Sequence, residues 1–371
     1  MDEGVKARIL SPTAESFHLA AEAIRRGEVV GMPTETVYGL AGDAFNPFAL
    51  ARIFSTKERP SFDPLIVHVG LSMKRIEDLS RAGIVDSKKL SKRAQENVNL
   101  LTQAFWPGPL TLVLPKTEKI PDLATSGLQT VGIRMPNHSV AQALIAASMT
   151  PLAAPSANRF GRISPTSSQD VLEELGDKID WILDGGEASI GVESTILSIG
   201  ETGELTLLRP GGLPLEKIEA LLSVKVAMDQ KDDKILAPGM LASHYSPKKK
   251  LTLLPENWRG QSESFASFWR EFSPEFFEDQ KKIKNKMALL VISGDATEPA
   301  EFFSRKTGLP TQGFSLSKNG NLEEAAQNLF KTLRQMDASD AVALFSETCA
   351  DHGGLGFAIA DRLSRASSSN S

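Results

Sequence analysis

Short apolar runs alternate with amphipathic stretches along most of this chain, and that alternation restricts it to layered α/β architectures. Val29–Met32, Leu65–Val69, Leu110–Leu114, Val131–Met135, Leu152–Ala154, Trp181–Leu183, Thr195–Ile199 and Leu205–Leu208 read as strands. Ser11-Pro12 predicts a helix start, Phe17, Ala20, Ala21 and Ile24 share one helical face, and Gly27 closes it. Gly200 to Gly203 reads as a hairpin turn, so the sheet is expected to be mixed. After Leu222 the pattern stops. Residues 223–250 are charged, proline-containing and aperiodic, as in a linker. From Leu251 a second α/β pattern begins. Ala288–Ile292 and Ala341–Phe345 read as strands, and Leu322, Ala325, Ala326, Leu329, Leu333 and Met336 repeat at helical spacing. The predicted domains are residues 1–222, a linker at 223–250, and residues 251–371.

The 371 residues carry a net charge of −5, which argues against indiscriminate nucleic-acid binding by the whole surface. One cysteine, Cys349, rules out an internal disulfide and any Cys-based metal site. The five histidines show no metal-ligand spacing. No apolar run is long enough to span a bilayer, and the acidic N-terminus lacks an apolar signal core, so a cytoplasmic location is expected.

The chemistry concentrates in polar turns at strand ends. Met32-Pro-Thr-Glu-Thr36-Val-Tyr-Gly-Leu40 follows the Val29–Val30 strand, and Lys57-Glu-Arg59-Pro places two cations two residues apart. Lys offers a point charge and Arg a planar fork, both suited to phosphate. Ala154-Pro-Ser156-Ala-Asn158, Gly191-Val-Glu-Ser194-Thr and Leu208-Arg209-Pro-Gly place small polar groups and another cation at strand ends. Open α/β sheets bind ligands there. Each segment alone has a plain explanation, since Ser and Asn favour turns; several in one domain point to a site. Lys57, Arg59 and Arg209 supply charge for a triphosphate, and Ser156, Asn158 and Ser164 supply neutral hydrogen bonds. Arg134 and His68 suit a second, anionic small molecule. A buried strand histidine and a carboxylate-capped surface arginine are the plainer readings of these last two. No Gly-Lys-Ser/Thr P-loop occurs, and Gly354-Leu-Gly356 reads as a tight turn. Without a visible carboxylate cage, Mg²⁺ is expected to arrive bound to the nucleotide.

In order, Pro-Thr-Glu-Thr-Val-Tyr-Gly-Leu, Lys-x-Arg-Pro, Pro-Leu-Ile-Val-His, Trp-Pro-Gly-Pro-Leu-Thr, Arg-Met-Pro, Ala-Pro-Ser-Ala-Asn, Gly-Val-Glu-Ser-Thr and Leu-Arg-Pro-Gly resemble the YrdC/Sua5 family of threonylcarbamoyl-AMP synthases. Pro238-Gly-Met with His244-Tyr-Ser-Pro, and a further α/β domain, is similar to the long Sua5 form. The resemblance implies a YrdC-like twisted mixed sheet plus a smaller Rossmann-like C-terminal domain. It implies that L-threonine, bicarbonate and ATP give threonylcarbamoyl-AMP and pyrophosphate. A separate threonylcarbamoyl transferase complex then modifies adenosine 37 of tRNAs, making tRNA a possible partner. By position it implies threonine contacts at Thr36, His68, Arg134, the backbone of Ala154, and Ser194. Nucleotide contacts fall at Arg59, Asp63, Thr130, Ser156, Asn158, Ser164, Arg209 and Tyr245. Lys57 and Arg59 are the catalytic candidates, neutralising the leaving pyrophosphate. Asp63 departs from the Asn found in many relatives, and an acid beside ATP must avoid the phosphates or meet the metal.

Two rivals remain at the level of sequence. A basic concave face binds RNA without chemistry, needing the cations but not Ser194 or His68. A carbamoyl-phosphate-dependent relative forms a different carbamoyl adenylate, although the acylphosphatase and zinc-finger regions fused to such relatives are missing.

Overall fold

The computed structural model describes residues 7–228, 236–241, 244–256, 258–259, 285–349 and 353–368. Two compact units emerge: Met1–Phe160 with Ser164–Leu241, and Gly161–Ile163 with Ala242–Ser371. The predicted linker at 223–250 is therefore divided. Ala227–Met228 forms a strand of the first sheet, residues 236–241 pack on that sheet, and residues from Ala242 onward belong to the second unit.

The first unit is one mixed sheet. Its strands are β1 Arg8–Leu10, β2 Val30–Met32, β3 Gly39–Asp43, β4 Ile66–His68, β5 Leu110–Pro115, β6 Thr130–Arg134, β7 Leu152–Ala153, β8 Trp181–Leu183, β9 Thr195–Ile199, β10 Leu205–Arg209 and β11 Ala227–Met228. They lie in the order β1-β8-β2-β3-β7-β4-β6-β5-β9-β10-β11. The β9–β10 pair is antiparallel, as the Gly200–Gly203 turn requires. Three strands of this sheet escaped sequence reading. β1 is a three-residue edge strand, β3, Gly-Leu-Ala-Gly-Asp, lacks the β-branched residues that mark strands, and the two-residue β11 lies in the predicted linker.

Helix α1, Ala14–Arg25, starts later than Ser11-Pro12 suggests. Thr13 is the cap; it is extended, and its hydroxyl accepts from the Ser16 amide at 3.2 Å. Its buried Ala20, Ala21, Ala23 and Ile24 meet Val140, Ala141, Leu144 and Ile145 of α6, Ser139–Ser148, over Val30, Met32 and Leu183. Each such large aliphatic side chain contributes roughly 1.5–3 kcal/mol on burial. That layer rigidifies the sheet from one side.

The second unit holds four parallel strands, β12 Leu251–Leu253, β13 Lys286–Ser293, β14 Thr311–Ser317 and β15 Ala341–Ser346, ordered β12-β15-β13-β14. The helix Leu322–Ala338 buries Ala325, Ala326, Leu329, Leu333 and Met336, the residues at helical spacing. Gly354-Leu-Gly356 is not a tight turn but the first turn of the helix Gly354–Ser367, with Gly354 at φ +53°. No helix among the described residues is long and apolar enough to cross a membrane.

Candidate functional site

The centre of the first sheet aligns three predicted or adjacent site residues in one transverse row. His68 on β4 pairs with Arg134 on β6, and Arg134 pairs with Thr111 on β5. Paired residues project to the same face, so these side chains are neighbours. Arg134 is buried rather than a surface cation. Its Nε donates to the Gly108 carbonyl at 3.3 Å and its NH1 to Thr36 Oγ1 at 2.7 Å. Its NH2 lies 2.7 Å from Glu35 Oε2, and both side chains are 5% exposed. His68 Nδ1 is 3.2 Å from the Ile66 carbonyl. Burial, reinforced by the Arg134 charge, pushes its pKa down to about 3, so the ring is neutral at physiological pH. It offers a neutral hydrogen bond.

A second cluster surrounds Asp63. Arg59 NH2 stands 2.8 Å from Asp63 Oδ2, with the two side chains 3% and 0% exposed. Arg59 also donates to the Asp63 and Pro64 carbonyls at 3.0 and 2.9 Å. Burial raises the Asp63 pKa, and Arg59, Lys57 and Arg209 oppose that rise. Arg59, in the turn after α2 (Pro47–Lys57), contacts this carboxylate, and the charges of Lys57 at the end of α2 and of Arg209 on β10 act on it at longer range. The acid departing from the family pattern does not point at solvent; it clamps Arg59.

Lys57 is placed differently from a free phosphate ligand. It ends α2 in full burial, and its ammonium donates to the carbonyls of Ser156 and Asn158 at 2.5 Å each. Burial, and next the Arg59 charge, hold its pKa well below the ordinary lysine value. The lysine shapes the Ser156–Asn158 loop. That loop runs alongside β3, with Gly39 bridged to Ser156 and the Leu40 amide on the Pro155 carbonyl. A Cβ on Gly39 would meet the Ala154 Cβ at 3.1 Å, so glycine permits this approach. The Ala154 amide donates to Ile66, fixing its backbone beside β4. Asn158 is buried, and its amide nitrogen donates to the Arg159 carbonyl.

Ser194 and Arg209 meet directly. Arg209 NH2 donates to the Ser194 carbonyl at 3.0 Å, and Ser194 Oγ lies 2.8 Å from Thr111 Oγ1. Gly211 has no room for a side chain, because a Cβ would sit 2.4 Å from the Glu193 carbonyl oxygen. Ser164 is buried and donates to Glu193 Oε1 at 2.6 Å. Beyond the polar row, Ile66, Val113, Ile196 and Leu208 form an apolar floor on which Leu236, Ala237 and Met240 pack. Arg209 NH1 donates to the Pro238 carbonyl at 3.0 Å, and Thr130 lines the same small space as Leu236, Ala237 and Pro238. Tyr245 belongs to the second unit. Its buried ring sits 4.2 Å from the His244 ring centroid, 5.3 Å from that of Phe330, and 5.4 Å from the Arg362 guanidinium carbon.

The structure brings Thr36, His68, Arg134 and Ser194 together through Thr111, and Arg59, Asp63 and Arg209 through shared charge. Sequence reasoning missed Glu35, Thr111 and Glu193 as members. Glu35 and Glu193 stood inside quoted motifs; an acid held within an otherwise neutral Thr- or Ser-rich turn was the available signal. Thr111 likewise closed the quoted Trp-Pro-Gly-Pro-Leu-Thr motif, where it read as part of a strand.

Residues 22–211 match the Sua5–YciO–YrdC family model, described as telomere recombination, and residues 213–368 match the threonylcarbamoyl-AMP synthase C-terminal domain. The chain is 39% identical over 355 residues to the threonylcarbamoyl-AMP synthase of Pyrococcus abyssi, spanning 95% of this chain and 94% of that protein. It is 36% identical over 361 residues to the protein of that name in Bacillus subtilis, spanning 96% and 94%. The crystal structure of P. abyssi Sua5 complexed with L-threonine is similar with a TM-score of 0.75, at 38% identity over 95% of this chain and 94% of that one.

Proposed function

The chain belongs to the Sua5–YciO–YrdC family, and on that premise we propose that it is a threonylcarbamoyl-AMP synthase, with threonine as a substrate. One observation carries the reading: the polar row of His68, Arg134 and Thr111 lies in the same unit as the buried Arg59–Asp63 pair and as Arg209, which holds Ser194 beside that row. The row suits an amino acid. Arg134 takes the carboxylate, and neutral His68 and Thr36 take the hydroxyl. Arg59 and Arg209 suit the phosphates of ATP, with Ser156, Ser164 and Thr130 as neutral partners.

The threonine amine adds to the carbon of bicarbonate and water leaves, giving a carbamate. A carbamate oxygen then attacks the α-phosphorus of ATP, and pyrophosphate departs. No protein nucleophile is needed; the site works by positioning and by neutralising charge. Lys57 holds the Ser156–Asn158 loop in place for this step. Mg²⁺ bound to the nucleotide would shield the phosphates, with its ligands drawn from phosphate and water. Asp63 is fully buried against Arg59 and is not placed to ligate such an ion. Asn158 is a further nucleotide contact. The product passes to a threonylcarbamoyl transferase complex that acts on tRNA, in the cytoplasm.

The test is pyrophosphate release by the purified full chain. It must require ATP, threonine and bicarbonate together, with threonylcarbamoyl-AMP identified by mass. Release that ignores threonine, or binding of tRNA with no release at all, would replace this reading with one of its rivals.

A further inference from the structure

The Arg134–Glu35 pair is incomplete in a specific way. Neither Glu35 oxygen, nor Arg134 NH2, makes an aligned hydrogen bond, although Oε2 and NH2 stand 2.7 Å apart and both groups are buried. Buried charges are seldom left so. Every other nitrogen of that guanidinium with a described bond is spent on Gly108 and Thr36. The two unfinished tips have opposite sign, and they lie side by side at the row proposed to hold threonine.

An α-amino acid carries its own pair of opposite charges, and covalent geometry holds its nitrogen roughly 3 Å from its carboxylate oxygens. A carboxylate seated on Arg134 NH2 therefore brings its ammonium to the acid next to that same nitrogen. We propose that Glu35 binds the ammonium group of threonine and accepts the proton that must leave before the amine can attack bicarbonate. The inference rests on the synthase reading and adds a residue to it.

The atom balance requires such an acceptor. Threonine ammonium and bicarbonate become carbamate, water and one released proton. The nitrogen–carbon bond forms as the carbon–hydroxyl bond of bicarbonate breaks. Of the three ammonium protons, one stays on nitrogen, one joins the departing hydroxide as water, and one goes to the Glu35 carboxylate. The competing bases are poorly placed. His68 is held neutral with a pKa of about 3 and is a weak acceptor. Asp63 has oxygens as unfinished as those of Glu35, but its partner is Arg59 and not the Arg134 of the threonine row, and Glu193 accepts from Ser164. Among the described residues, the charged or titratable groups that interact with Glu35 are Arg134 from β6 and His138 at the start of α6. His138 is half-buried, and its pKa is lowered chiefly by burial.

The pairing also sets specificity. Arg134 and Glu35 sum to zero charge, so the pocket favours a zwitterion over an anion of the same shape. The experiment is calorimetric binding of threonine and of 3-hydroxybutyrate, which keeps the carboxylate and hydroxyl but lacks the amine. Wild-type chain is predicted to bind threonine at least ~10-fold more tightly, as loss of a charged hydrogen bond requires. Glu35→Gln is predicted to erase that preference, to raise the KM for threonine ~10-fold or more, and to leave the KM for ATP within about 2-fold. Glu35→Asp, which keeps the charge at shorter reach, should restore part of the preference. A simple packing role would not move the ratio between two ligands. Equal binding of the two ligands by wild type overturns the proposal without any variant, as does an unchanged ratio in Glu35→Gln. Failure of wild type to bind threonine or release pyrophosphate would instead sink the synthase reading itself.

Discussion

Arg59→Ala should cost the first unit more stability than the double change Arg59→Ala with Asp63→Asn. Both side chains are essentially inaccessible and stand 2.8 Å apart. Removing the guanidinium alone leaves a buried carboxylate without its nearest cation, which costs about 3–5 kcal/mol. The double change removes that charge too. What remains lost is the pair of bonds to the Asp63 and Pro64 carbonyls, together about 1–2 kcal/mol. The coupling between the two positions should therefore be about 2–3 kcal/mol, far above the ~0.5 kcal/mol scatter of independent sites. Urea unfolding with hydrogen exchange at β4 and β6 reads this unit apart from the second. Activity should not follow stability: Asp63→Asn alone should fold well, while any variant lacking Arg59 loses turnover. Equal destabilisation by the single and double changes would refute the clamp, and would return Asp63 to an exposed role beside the nucleotide.

Three further outcomes follow from the same geometry. His68 is buried neutral with its pKa lowered from 6.5 to about 3, so the unfolded chain binds an extra proton between those values. Its contribution is intact above pH 6.5 and declines as pH falls. Denaturant melts at pH 7 and pH 5 should differ by about 2 kcal/mol more in wild type than in His68→Asn, and an identical difference would contradict the burial argument. Lys57→Met keeps volume but strands two carbonyls, so it should destabilise by about 2–4 kcal/mol. Unchanged melting with lost turnover would instead make Lys57 a phosphate ligand. Gly211→Ala must push apart the Glu193–Ser194 backbone, at a cost of about 1–3 kcal/mol, and should weaken nucleotide binding through Arg209. Wild-type melting and wild-type nucleotide affinity in that variant would show the backbone yields freely.

The sheet was legible wherever branched residues clustered: β4, β5, β6 and β9 were readable because Ile, Val and Leu run through them. β3 was not, since its glycines and alanines serve close backbone approach rather than propensity. The helix start at Thr13 went unseen because Ser-Pro is the stronger local signal, while the cap is decided by an extended residue one position later. In the site, the cations were readable but their partners were not. Asp63 and Glu35 sit within a few residues of the arginine-bearing turn or the Thr-rich loop, yet nothing in their spacing says that each neutralises a particular guanidinium. Lys57 looked like a ligand because a point charge two residues from Arg59 suits phosphate. Two carbonyls from a distant loop supply its reason, and only the fold brings them there.

The shared-face claim is tested most directly by a crystal structure of the full chain with threonine and a nonhydrolysable ATP analogue. The predicted result has the threonine carboxylate on Arg134 and the triphosphate between Arg59 and Arg209. Threonine bound away from the His68–Arg134 row, or a nucleotide seated outside the first unit, would contradict it.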